Sequence, residues 1–142
     1  MKKYVMDNKI ILVEKAAQPL GAYPHARKVG NLLFLSGIGS RSLDNSIPGL
    51  EIDEHGNKIS YDIVAECHSV FANVKAILED AGSCWDRIVD VTVFLTDMKD
   101  FAVYNKIYGE YFKDVQACRT TVAVTSLPTL ISIELKVIAT IL

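Results

Sequence analysis

The stretch CRTTVAVTSLPTLISIELKVIA, residues 118–139, decides the fold. Two apolar, β-branched runs flank a Leu-Pro loop. Each run carries a charge, Arg119 in the first and Glu134 in the second, where a sheet would prefer none. Strand alternation sets the faces. Over 119–124, Thr120, Val122 and Val124 make the apolar side, and Arg119, Thr121 and Ala123 point the other way. Over 131–139, Ile131, Ile133, Leu135, Val137 and Ala139 face the core, with Ser132, Glu134 and Lys136 opposite. If TSLPTL closes an antiparallel hairpin with matching core faces, the simplest register sets Val124 against Ile131 and Thr121 against Glu134. Arg119 then becomes the diagonal neighbour of Glu134, about 7–8 Å away. Both charges are expected on the face away from the helices. Such a pair reads either as a structural ion pair or as binding machinery, an arginine that grips a carboxylate beside a glutamate that holds a water. Desolvating the two charges costs on the order of several kcal/mol per ion. Keeping them where Val or Thr would fit points to a use.

Working outward, IVDVTVFL at 88–95 reads as a strand, and Asp97 or Asp100 can cap a second helix over 101–113 that carries Phe101, Tyr104, Tyr108, Tyr111 and Phe112 mostly on one side. Those tyrosines read as core or interface. Asp62 opens a longer helix in which Ile63, Val64, Cys67, Val70, Phe71, Val74, Ile77 and Leu78 share a face and Gly82 stands at the C-terminal left-handed position. Upstream, KIILV (9–13) and LLFLSG (32–37) read as strands with AAQPLGAYPHARKVGN as the loop between them. A strand near 50–53 and a hairpin signal at His55-Gly56-Asn57 fall in the turn-rich segment before Asp62. The order β-β-(β)-α-β-α-β-β predicts one α+β domain over 1–142, a two-layer sandwich of a mixed sheet with two helices on one face. Apolar residues at both parities of the strands imply that another subunit covers the second face.

Bulk properties narrow the function. The 142 residues are 50% hydrophobic with a formal charge of -2, the charges are scattered, and the one Lys-rich spot is the MKK start. No electrostatic footprint for nucleic acid is present. No apolar run reaches the roughly 18–20 residues of a membrane span and no long signal-like segment opens the chain, so a cytoplasmic protein is expected. Cys67, Cys84 and Cys118 are odd in number and widely spaced and read as reduced thiols. His25, His55 and His68 lack ligand spacing, so no metal is expected.

The segments GAYPHARKVGNLLFLSG (21–37), NVKAILEDAG (73–82), VTVFLTDMKDFAVYNKIYGEYF (91–112) and RTTVAV…LP…IELKVIA together resemble the RidA/YjgF family over nearly the whole chain. The resemblance implies a chorismate mutase-like fold and a homotrimer whose sheets form a central barrel, with active sites in the clefts between subunits. It also implies hydrolysis of enamines and imines to a keto acid and ammonia without metal or organic cofactor. Arg119 would bind the substrate carboxylate and Glu134 would place the attacking water. Tyr23, Gly37 and Asn105 match family site positions, and Thr121 stands where the family more often has cysteine. The turn GIGSR adds Arg41, which with His25 and Arg27 supplies cations near the cleft mouth. This pattern looks most like the 2-aminomuconate deaminase branch, whose substrate carries two carboxylates. A broad 2-imino acid deaminase and a carboxylate-sensing trimer without turnover are the alternatives.

Overall fold

The computed structural model describes residues 8–141, and the MKK start lies outside them. The strands are β1 (Asn8–Ile11), β2 (Ala26–Val29), β3 (Leu32–Leu35), β4 (Ile38–Gly39), β5 (Glu51–Ile52), β6 (Lys58–Ser60), β7 (Ile88–Leu95), β8 (Cys118–Ala123) and β9 (Ile133–Thr140). The helices are α1 (Ile63–Asp80) and α2 (Phe101–Phe112). The main sheet runs β1-β2-β3-β9-β7-β8, with β4 also on β9, while β5 and β6 form a separate hairpin. The α+β class and the mixed sheet with two helices stand as the sequence implies. Among the described residues, no helix is long and apolar enough to cross a membrane.

Helix α1 begins where the Asp62 carboxylate accepts a hydrogen bond from the Ala65 N–H, a cap of about 1 kcal/mol. It ends before Gly82, whose φ of +83° relieves the turn. Cys67, Val70, Phe71, Val74, Ile77 and Leu78 are fully buried, whereas Val64, expected on that face, is 42% exposed in the first turn. Burial pushes the Cys67 thiol up to about 12, so it is an inert core residue. On the sheet, Val91, Val93 and Leu95 of β7 and Ile133, Leu135, Val137 and Ala139 of β9 meet the helices.

Ile38–Gly39, read as part of the turn GIGSR, forms β4 on β9, and two further strand readings differ. ARKV was read as loop but forms β2, which pairs with β3 from Val29↔Leu32 to Ala26↔Leu35 around Gly30 at φ +62°. Two charges, the exposed Arg27 and the half-buried Lys28, interrupt its apolar pattern, and pairing on both sides holds it in place. The second difference is larger. β8 and β9 do not pair, because β7 lies between them, parallel to β8 and antiparallel to β9. The crossover through α2 lays β8 beside β7 at the sheet edge, and β9 takes the central place, where its inward side chains are buried.

That register inverts β8. Val91 pairs with Arg119 and Val93 with Thr121, and paired residues share a face, so Arg119 and Thr121 point toward the helices, contrary to expectation. Val122 points outward, 38% exposed. The Thr120, Val122 and Val124 pattern misleads because an edge strand has little burial to enforce its own alternation, and β7's buried alternation wins. Glu134, paired with Phe94, faces outward as expected. Within one chain Arg119 and Glu134 are therefore on opposite faces. They are two strand spacings, about 10 Å, and three residues, about 10 Å, apart.

Candidate active site in two halves

The first half-site is built by β8 and α2. The half-buried Arg119 donates from Nη1 to Asn105 Oδ1 at 2.8 Å, and its guanidinium carbon lies 4.6 Å from the Tyr108 ring centroid, 5.5 Å from Tyr104 and 5.9 Å from Phe101. The Thr121 hydroxyl bonds the Tyr104 hydroxyl. Aromatic faces attract the cation without neutralising it, and no carboxylate among the described residues pairs with Arg119. Burial pushes the Tyr108 hydroxyl up to about 12, partly offset by the Arg119 charge, so both tyrosines stay neutral. Reading these tyrosines as core holds for Tyr104 and Tyr108, which are buried. Their support of the guanidinium was missed. The signal was their spacing of four on the helix, facing a strand that carries the arginine.

The second half-site is on the outer face where β3, β4 and β9 meet. β3 and β4 are out of step along β9 by one residue, from Phe34↔Ile138 to Ile38↔Leu135, so Leu35, Ser36 and Gly37 form a bulge. Ser36 is pinned to the preceding loop, its N–H donating to His25 O at 3.0 Å and its hydroxyl to Pro24 O at 2.7 Å. Tyr23, Ser36, Gly37, Pro128, Glu134 and Lys136 border one open depression. Burial raises the Glu134 carboxyl above its ordinary value of 4.5. No cation among the described residues forms an ion pair with it.

Gly37 is required by this carboxylate. A Cβ there would stand 2.8 Å from Glu134 Oε2. The Gly37 backbone is not in the left-handed region, so alanine keeps the fold and displaces the acid instead. Gly37→Ala is expected to lower kcat/KM by about tenfold to a hundredfold with an unchanged unfolding midpoint, measured by thermal melting beside steady-state kinetics. A fall in stability together with activity would show that the glycine serves the fold.

Arg41 and His25 lie on the helix side of the bulge. They border a recess that also contains Tyr23, Ser36, Gly37 and Asn73. The Arg41 guanidinium donates to Asn45 Oδ1 at 2.6 Å and Gln18 O at 2.9 Å. His25 is buried with both ring nitrogens used: Nδ1 accepts from the Val13 N–H at 3.0 Å and Nε2 donates to Ala17 O at 2.9 Å. Arg27 is on the outer face of β2, bonded to Asn8 Oδ1 at 2.9 Å. Three polar residues of α1 that the sequence reading passed over hold this region. Glu66 Oε1 accepts from the Ser40 hydroxyl and the Ser132 N–H, the Ser69 hydroxyl donates to Ser40 O, and Asn73 donates to Gly39 O and Arg41 O. The spacing 66, 69, 73 puts them on one stripe beside the apolar face, which is the signal that could have found them. Among the described residues, no cluster of His, Cys, Asp and Glu gathers as a metal site requires.

A profile of the family described as Endoribonuclease L-PSP matches residues 13–141. A RutC family protein of Pyrococcus abyssi is 41% identical over 135 residues, covering 94% of this chain and 98% of the relative. The chloroplastic Reactive Intermediate Deaminase A of Arabidopsis thaliana is 35% identical over 136 residues, covering 96% of this chain and 67% of the relative. Among solved structures, E. coli TdcF with bound serine superposes with a TM-score of 0.79 at 31% identity, covering 93% of this chain and 98% of that one.

Proposed function

We propose, since the chain belongs to the Endoribonuclease L-PSP family, the RidA/YjgF proteins, that it is a hydrolytic deaminase of enamine and imine carboxylic acids. The observation that carries this reading is a pair of opposite charges built into separate half-sites and left without ionic partners, Arg119 against aromatic rings and Glu134 against Gly37. An arginine so held recognises a carboxylate from outside the chain, and a carboxylate so held takes a proton from water. The relative named a reactive intermediate deaminase and the one crystallised with serine support the reading.

In the proposed reaction Arg119, steadied by Asn105, fixes the carboxylate next to the imine carbon. Glu134 accepts a proton from water as the oxygen attacks that carbon, and the imine nitrogen takes up a proton to give a neutral carbinolamine. Glu134 then carries the carbinolamine hydroxyl proton to the amino group, and as the C=O bond forms the C–N bond breaks, ammonia leaves and the product is the keto acid. Tyr23 and the bulge at Gly37 border the reacting carbon, and Thr121 fixes Tyr104 beneath the guanidinium. His25, both nitrogens committed, holds the 13–17 segment against the bulge.

The two half-sites combine across subunits of a homotrimer. Ile10 at 66%, Phe34 at 37% and Val122 at 38% are exposed on the outer face of the sheet, joined by Ile138 and Phe94. A second copy covering that face buries them and brings one chain's Glu134 toward another's Arg119. The substrate class is an unsaturated amino dicarboxylate such as 2-aminomuconate, with a broad range of 2-imino acids as the alternative. The deciding assay follows ammonia release from imines made in place by an amino acid oxidase. Acceleration over buffer is expected; none with mono- or dicarboxylic imines, together with stoichiometric carboxylate binding, would leave a sensing trimer.

A further inference from the structure

Lys136 is one strand period from Glu134, on the same outer face of β9 and in the same depression. Its position follows from the bulge. The one-residue slip along β9 leaves the Leu35 carbonyl beside Lys136, and the Lys136 ammonium donates to it. One of the three N–H donors is thereby used, which fixes the ammonium of the exposed side chain at the bulge. No carboxylate pairs with this ammonium among the described residues. Glu134 shares the depression without forming an ion pair with the ammonium. The result is a second cation without a counter-ion, pre-positioned by the backbone and bordering the space in front of the water-holding acid.

The other candidates for a second anion site are less free. Arg41 already donates to Asn45 and Gln18 and lines the recess beside Asn73 and Ile77 of α1 rather than the depression that holds Glu134. Arg27 is tied to Asn8 two strands from β9.

We propose that Lys136 binds a second, distal carboxylate of the substrate and so sets a preference for dicarboxylic imines, an inference that rests on the deaminase reading of the same depression. Arg119 takes the carboxylate beside the imine carbon, and Lys136 takes the one at the far end. The ammonium keeps its bond to the Leu35 carbonyl and offers its remaining donors to the substrate.

The test compares wild type, Lys136→Met and Lys136→Arg on the imines of alanine and of glutamate. Methionine keeps the stem and removes the charge. The expected result is a loss of about tenfold or more in kcat/KM on the glutamate imine for Lys136→Met, carried by KM, with the alanine imine changed less than about twofold. Lys136→Arg is expected to restore most of the loss. An equal fall on both imines would overturn the inference and leave Lys136 as a clamp on the bulge; no change on either would overturn it too. If wild type turns over neither imine, the deaminase reading fails, and calorimetry with glutarate and acetate decides Lys136 separately. Glutarate binding that is weakened in Lys136→Met while acetate binding is not would sustain the second anion site, and equal glutarate binding would overturn it.

Discussion

Replacing Arg119 by alanine is expected to lower kcat/KM by about 10²–10³, the scale on which removing a charge-assisted carboxylate contact acts, while the fold survives. The guanidinium is half-buried at an edge strand, and its partners are Asn105 and the rings of Phe101, Tyr104 and Tyr108. Losing the cation–π contacts costs about 0.5–1 kcal/mol at such a site, so thermal melting should move by a few degrees only. Arg119→Lys should recover little, because an ammonium cannot present the planar fork to a carboxylate. A variant that keeps near-wild-type turnover would show that the arginine is structural. The geometry adds a sharper expectation. Arg119 and Glu134 of one chain face opposite sides of the sheet, so a site that uses both takes them from two subunits. Co-expressing Arg119→Ala and Glu134→Gln chains should then restore activity, to about a quarter of wild type if they mix at random. Co-expressed chains that assemble together and stay inactive would rule out a shared site.

Glu134→Gln is expected to cost about 10²–10⁴ in kcat, the usual weight of a general base, and to do so without loss of stability. The sign follows from linkage. Burial raises the folded-state pKa of this carboxyl, so its contribution to stability is fully present below the ordinary value of 4.5 and is lost as pH rises through the folded value. At neutral pH the ionised side chain opposes folding, and the neutral glutamine removes that opposition. The unfolding midpoint at pH 7 should stay level or rise. The same shift predicts that the acid limb of the wild-type kcat/KM profile falls above 4.5. If the limb instead sits at an unshifted carboxylate value, or survives in Glu134→Gln, another residue is the base.

Much of this protein is legible in its sequence because strongly periodic burial leaves little choice. The α1 pattern from Cys67 to Leu78, its Asp62 cap and the β7 run IVDVTVFL fall where the sequence reading puts them. The hairpin at His55-Gly56-Asn57 forms with Gly56 at φ +80° and the Asp53 carboxylate accepting from two turn N–H groups. The outward face of Glu134 was legible for the same reason: β9 is central, and each inward residue from Ile133 to Ala139 is buried. The sequence also singled out Arg119 and Glu134 as charges out of place.

Only the tertiary structure decided how those two charges relate. Adjacent β-rich runs suggest a hairpin, and local alternation cannot tell whether a third strand separates them. The α2 crossover places β7 between β8 and β9, and on the thinly buried edge strand the register to Val91 overrides the apolar pattern of Thr120, Val122 and Val124. That one decision turns Arg119 toward Tyr104 and Tyr108. The bulge that joins Gly37, Glu134 and Lys136 is likewise a property of three strands in register, which no single stretch of sequence encodes.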